Sequence, residues 1–142
     1  MFRVRSKTKR DRRVYIPIMI QQLKDTAGLG TVLWLIGYIA SLLLFVSPLA
    51  GIMGWVLIAV FTPVSVAIAW RWFKGRDLSL AYYAGVGLAW TAIAVVLDYL
   101  FIVLLFSATY YGPDVFVYYS ITFLIPVGIG LVGRLMKKRV RG

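Results

Sequence analysis

Four stretches of this chain are too long and too apolar to form a surface in water, and they limit the fold more than any other feature. The first runs 31–48 (TVLWLIGYIASLLLFVSP) without a charge, and the second, 52–73, meets its first charge at Arg71. The third, 78–106, is interrupted only by Asp98, and the fourth, 114–136, is uncharged from Val115 to Gly133. A bilayer hydrocarbon core is spanned by about 20 helical residues at about 1.5 Å each. Soluble proteins also contain helices that are apolar all round, but four of them in 142 residues would leave almost nothing polar for an outer surface. Composition agrees: 61% of the residues are hydrophobic, against about 45–50% in a soluble domain. The chain therefore reads as an all-α membrane protein, a four-transmembrane-helix bundle.

The basic residues orient it. All 16 Lys and Arg lie in three segments. Arg3, Arg5, Lys7, Lys9, Arg10, Arg12, Arg13 and Lys24 precede the first block; Arg71, Lys74 and Arg76 lie at the link between blocks two and three; Arg134, Lys137, Lys138, Arg139 and Arg141 close the chain. The two remaining loops have none. Because Lys and Arg are retained on the cytoplasmic side, both termini are expected inside, in a multi-pass protein of the plasma (inner) membrane. A bias this complete argues against insertion in both orientations.

Residues 1–30 read as a basic cytoplasmic segment that is retained, since a signal peptide passes promptly from its charged region to an apolar stretch of about 7–15 residues and a small-residue cleavage site. Within it Ile16, Met19, Ile20, Leu23 and Ala27 recur at helical spacing, with Gln21, Gln22, Lys24 and Asp25 on the other side. Pro17 suits a first helical turn, and Gly28-Leu29-Gly30 reads as a break before the first span. An amphipathic helix on the membrane interface is expected. The cluster Arg3, Arg5, Lys7, Lys9, Arg10, Arg12 and Arg13 is expected to contact anionic lipid headgroups, at about 1 kcal/mol per basic residue near the surface. No aromatic stacking platform accompanies it, so nucleic acid is not an expected partner. Residues 31–136 form the transmembrane domain, and 137–142 a basic cytoplasmic tail.

Blocks two and four share a pattern at a constant offset: Pro63-Val64 with Pro126-Val127, Arg71 with Arg134, Lys74 with Lys137, Arg76 with Arg139. One reading is a duplicated helical hairpin, with repeats related by an axis along the membrane normal. The other is coincidence, since basic residues end many spans. Either way Pro63 and Pro126 fall near mid-membrane, each freeing a carbonyl four residues back, at Ala59 and Thr122. Thr62 and Ser65 in one span, and Ser120 and Thr122 in the other, are placed to ease the kinks.

Asp98 carries the strongest functional signal. An ionisable residue inside a span costs about 2.5–3.5 kcal/mol to insert and usually faces the bundle interior. Depth along the helices brings Tyr118, Tyr119 and Thr122 of the fourth block toward it, with Tyr38 of the first within reach, while Thr91 shares its face of the third. Two readings stay open: a hydrogen-bonding staple between helices or to another subunit, and a group that takes a proton or binds a cation. Asp114, after Pro113, is expected to cap the fourth helix. Cys, His, Glu and Asn are all absent, which excludes disulfides, Cys/His metal sites and Cys or His nucleophiles and bases. No phosphate loop or nucleophile elbow occurs either. No enzymatic activity, metal or cofactor is expected.

The residues Asp98-Tyr99-Leu100-Phe101-Ile102-Val103, Leu105-Phe106, Tyr110-Tyr111, Asp114-Val115, Tyr118-Tyr119 and Thr122-Phe123-Leu124-Ile125-Pro126 together resemble a block found in small uncharacterised four-span prokaryotic membrane proteins. The resemblance covers 98–126 and implies a related fold and no particular activity. The leading functional reading is an accessory or structural subunit of a membrane assembly. The alternative is a small oligomeric transporter or channel, proton-coupled or for cations, using Asp98. A lipid-interacting protein is a third. Expected partners are the bilayer, including anionic lipids, and either further copies of the chain or other membrane subunits.

Overall fold

A computed structural model describes residues 9–107 and 109–142, with side chains from Ile16 onward. Arg3, Arg5 and Lys7 lie outside the described residues, and of Lys9, Arg10, Arg12 and Arg13 the backbone alone is described, as helix. Helix α1 (Lys9–Leu23) passes through one π-helical turn, Lys24–Gly28, directly into α2 (Leu29–Phe45). A 3₁₀ turn at Ala50–Ile52 leads into α3 (Met53–Phe73), and α4 (Leu80–Asp98) is prolonged by a second π-helical turn, Tyr99–Leu104. Helix α5 spans Pro113–Arg141.

Four helical stretches are long and apolar enough to cross a membrane: Ile16–Phe45, Ala50–Phe73, Leu80–Leu104 and Pro113–Arg141. The protein is a four-helix, membrane-spanning bundle. Consecutive spans run in opposite directions, which gives it two unlike ends. The basic end holds the 74–79 link and the last turns of α5. The other end, formed by residues 46–52 and 107–112, has no Lys or Arg.

Local chemistry sets the helix ends. Lys74-Gly75 turns the chain after α3, Gly75 taking φ 77°, which a side chain would resist. Ser79 then starts α4, its hydroxyl accepting the Tyr82 N–H at 3.1 Å. Pro113, which has no N–H to satisfy, opens α5.

The first span differs from expectation. No break occurs at Gly28-Leu29-Gly30: Gly28 (φ −65°, ψ −62°) and Leu29 (φ −67°, ψ −39°) are helical. Gly30 is there for packing, since a Cβ on it would lie 2.8 Å from Cδ1 of Trp90. The apolar stretch therefore starts at Ile16 rather than residue 31. Its 30 residues measure about 45 Å, more than the hydrocarbon thickness. Ile16, Ile18, Met19, Ile20 and Leu23 of α1 are all exposed.

The core is small and lies in the half of the bundle nearer the basic end. Leu29 and Leu33 of α2, Ala69 and Phe73 of α3, Tyr83, Val86 and Trp90 of α4, and Ile129 of α5 form it. Large apolar side chains elsewhere, such as Leu43, Val60, Leu88 and Leu105, face outward as lipid-facing residues do.

Both prolines lie inside helices, but their surroundings differ: Pro126 is fully buried and Pro63 is exposed. Ser120 and Thr122 bond the carbonyls of Phe116 and Tyr118 in their own helix, not the carbonyl that Pro126 frees. Ser65 bonds nothing.

Without a hydrophobic drive between helices in lipid, close contact through small residues holds spans together. Helices α4 and α5 use two such points. A Cβ at Gly87 would fall 2.5 Å from the backbone oxygen of Phe123, and one at Gly130 would fall 2.5 Å from the Tyr83 ring. Gly87→Ala is therefore expected to destabilise the bundle by about 1–3 kcal/mol through overpacking. Gly85→Ala, with nothing within 4 Å of its Cβ, is expected to change stability little. The midpoints of unfolding in mild detergent test the contrast.

Candidate functional site

Two aspartates, one toward each end, are removed from solvent: Asp25 at 0% and Asp98 at 3% exposure. A carboxylate in a low-dielectric interior has to be met by hydrogen-bond donors, and both are. Asp98, the last residue of α4 before its π-helical turn, receives three. Trp34 of α2 donates its indole N–H to Oδ1 at 2.7 Å. Tyr119 of α5 and Tyr110 of the 107–112 link donate their hydroxyls to Oδ2 at 2.9 and 3.0 Å. Tyr38 stacks on Trp34 at 4.9 Å between centroids, and Phe101 lies 5.5 Å from the same indole, so the first donor is held by packing.

The residues expected around Asp98 divide. Tyr119 reaches it. Thr122 instead donates to the Tyr118 carbonyl, and Thr91 to the Gly87 carbonyl of its own helix at 2.8 Å, because a threonine in a helix finds a carbonyl one turn back nearer than any neighbour. Tyr118 makes no hydrogen bond to Asp98 but lines the cleft beside it. Trp34 and Tyr110 are donors that depth along the helices did not single out. The signal for Trp34 was present: an indole N–H can only donate, so a tryptophan inside a span implies an acceptor nearby.

Asp25 departs further from expectation. Helical spacing through α1 sets it on the polar face with Gln21 and Lys24, yet it is wholly buried. It keeps the contact with Gln21 one turn back that helical spacing sets, and it is buried because side chains from α3, the next link and α4 close over that face. Arg76, in the link between α3 and α4, grips both carboxylate oxygens, Nη1 to Oδ1 at 2.9 Å and Nη2 to Oδ2 at 2.7 Å. Trp72 donates to Oδ1 at 2.8 Å, Gln21 to Oδ1 at 3.0 Å, and the Tyr82 hydroxyl to Oδ2. Trp90 donates to the backbone oxygen of Asp25 at 2.8 Å. The carboxylate raises the pKa of Arg76 above its already high ordinary value, and the guanidinium also lies 5.3 Å over the Phe73 ring. Four segments meet at this one carboxylate and close the basic end. The Asp77–Lys137 pair nearby, at 2.6 Å, is largely exposed and contributes little.

The other half of the bundle is open. A cleft of about 550 Å³ runs between the spans from the 46–52 and 107–112 end toward mid-membrane, with Asp98 among its lining residues. Its walls are largely apolar: Leu42, Phe45, Leu57, Ile58, Phe61, Phe106, Ile121 and Ile125. The polar residues on it include Ser41, Thr62, Ser65, Tyr118 and Asp114, and among the described residues no Lys or Arg lines it. Asp114 does not cap α5; the cap position is Gly112, and Asp114 makes no capping bond. Its carboxylate instead lies against Gly54 of α3, where a Cβ would come within 1.7 Å of Oδ2. Only glycine there leaves room for the acid.

The fold and this site define a small polytopic integral membrane protein with two buried carboxylates and an acidic cleft. Comparison of the chain with protein-family models, with curated proteins and with solved structures gives no match. The resemblance read from residues 98–126 thus gives the chain no family, and what stands is the four-helix, membrane-spanning bundle.

Removing the charge of Asp25 leaves Arg76 facing its buried donors without an anion. Asp25→Asn is expected to cost about 3 kcal/mol. Adding Arg76→Gln is expected to recover part of that loss, because the two residues act as one unit. Unfolding of the two single variants and the double variant in detergent closes the cycle; additive losses would show that the pair is not coupled.

Proposed function

We propose that this protein is a small carrier that admits a positively charged solute to the middle of the membrane through its acidic cleft, without covalent chemistry. The observation that carries this reading is the lining of the cleft. Two carboxylates, Asp98 and Asp114, face a cavity on which, among the described residues, no Lys or Arg lies. In a low-dielectric setting, charge of one sign concentrates the opposite sign. A volume of about 550 Å³ lies within the range of small-molecule pockets, and the apolar walls suit an organic cation better than a bare metal ion, which needs about six oxygen ligands.

In this reading the basic end is cytoplasmic, by the distribution of Lys and Arg. Both termini then lie inside, and the cleft opens to the opposite side of the plasma membrane. The Asp25–Arg76 junction and the aromatic core beneath the cleft form its closed inner half. The basic residues from Arg3 to Arg13, which precede and open α1, are assigned to anionic lipid headgroups.

An accessory-subunit reading has one observation in its favour. Gly85 of α4 and Gly128 and Gly133 of α5 face open space, where a helix of another subunit could approach closely. Purification with a stoichiometric membrane partner would favour that reading over a carrier working alone.

Uptake of tetraethylammonium into proteoliposomes tests the carrier reading, since this permanently charged cation does not cross lipid as a neutral species. Saturable uptake is expected, falling at least tenfold in Asp98→Asn. Uptake equal to that of empty liposomes would overturn the reading.

A further inference from the structure

Within the spans, hydroxyl groups usually satisfy themselves. Ser41, Thr91, Ser120 and Thr122 each donate to a carbonyl of their own helix at 2.7–2.9 Å. Ser65 does not. Its residue is 3% exposed, and among the described residues its Oγ is the one buried side-chain polar atom without a partner. A buried hydroxyl left unpaired is costly, and this one lines the same cleft as Asp98.

The helix register brings Ser65 to a depth similar to that of Trp34, one of the Asp98 donors. Gly37 of α2 lies against the ring of Phe61 of α3 at 3.4 Å. Trp34, which donates to Asp98, lies three residues beyond Gly37 toward the basic end, and Ser65 lies four beyond Phe61 in the same direction. From Gly54 at the mouth to Ser65, the cleft follows α3 for about 16 Å.

The lone pairs of Asp98 also leave space. A carboxylate accepts at about four sites, and the donors from Trp34, Tyr110 and Tyr119 account for three. The fourth site and the lone pairs of Ser65 Oγ are acceptors of two residues that line one cleft. A ligand that matches them carries positive charge and several N–H donors. That describes a primary ammonium group. A quaternary ammonium carries the charge and lacks the donors.

We propose that the inner part of the cleft, which both the unpartnered Ser65 and Asp98 line, is a binding site for the primary ammonium group of an amine with an apolar body. The inference rests on the cation reading above and narrows its substrate class. Asp114 on its Gly54 shelf draws the cation to the mouth. Phe61, Leu57 and Ile58 cover the apolar body, and Ser65 with Asp98 receives the N–H groups.

The test is calorimetric titration of the full chain in phosphatidylcholine nanodiscs with three probes: 2-phenylethylammonium, its N,N,N-trimethyl analogue, and 3-phenylpropanoate. Wild type is expected to bind the primary ammonium at least tenfold more tightly than the trimethyl analogue, and not to bind the carboxylate. Ser65→Ala is expected to abolish the preference between the two cations while both still bind; Ser65→Thr, which keeps the hydroxyl, is expected to retain it. Equal binding of the two cations by wild type, or a tenfold preference that survives Ser65→Ala, would overturn the site and leave the cation reading in place. Binding of neither cation would overturn both. The wild-type comparison decides by itself if Ser65→Ala does not assemble.

Discussion

A carboxylate withdrawn from water has to be answered by donors, and in this protein the donors come from different helices. That requirement organises the bundle. Asp25 collects Arg76, Trp72 and Tyr82 from α3, the following link and α4, while Trp90 holds its backbone oxygen. Asp98 collects Trp34, Tyr110 and Tyr119 from α2, the last link and α5. Spans in lipid have little hydrophobic reason to associate, so two polar junctions and a few glycine contacts supply much of the specificity that a core supplies in a soluble protein. Both acids lie at π-helical turns, which re-aim a side chain by one position and occur often at functional sites.

The two junctions are not equivalent. At the basic end a guanidinium answers the carboxylate, the donors crowd it, and an aromatic core packs just beyond. At the other end the donors are neutral, and a cleft opens beside the acid. One half of the bundle is thus stabilised by a closed ion pair and packing. The other keeps an unpartnered hydroxyl, an acid seated against a glycine, and empty volume. Native structures rarely leave a buried hydroxyl unpaired, which makes Ser65 the natural place to look for a ligand.

Much of the architecture was legible because membrane physics writes it in blocks of residues. Spans and loops follow from hydropathy and charge alone, and Asp98 stood out as an acid in an otherwise uncharged block. Asp25 did not stand out. It lay beside Lys24, Gln21 and Gln22, in a stretch that looks like the wet face of an interfacial helix. Its burial depends on Trp72, Arg76 and Tyr82, about fifty residues away in the chain. Trp34 was hidden for a related reason: an indole reads as apolar bulk until its N–H is followed to an acceptor. Asp114 showed the reverse error, a plausible helix cap that turns toward Gly54 because space is available there.

The sequence by itself determined that this chain crosses a membrane four times, since no other medium accepts four such blocks, and it separated a basic end from one without basic charge. It also offers no cysteine, histidine or glutamate side chain, so aspartate is the acid available within the spans. Only the tertiary structure decided which polar groups meet. Periodicity reports the face of a helix a residue occupies. Whether that face meets an arginine, an indole or an open cleft depends on neighbouring helices and their register. Asp25 became a structural anchor and Asp98 part of a cleft by that difference alone.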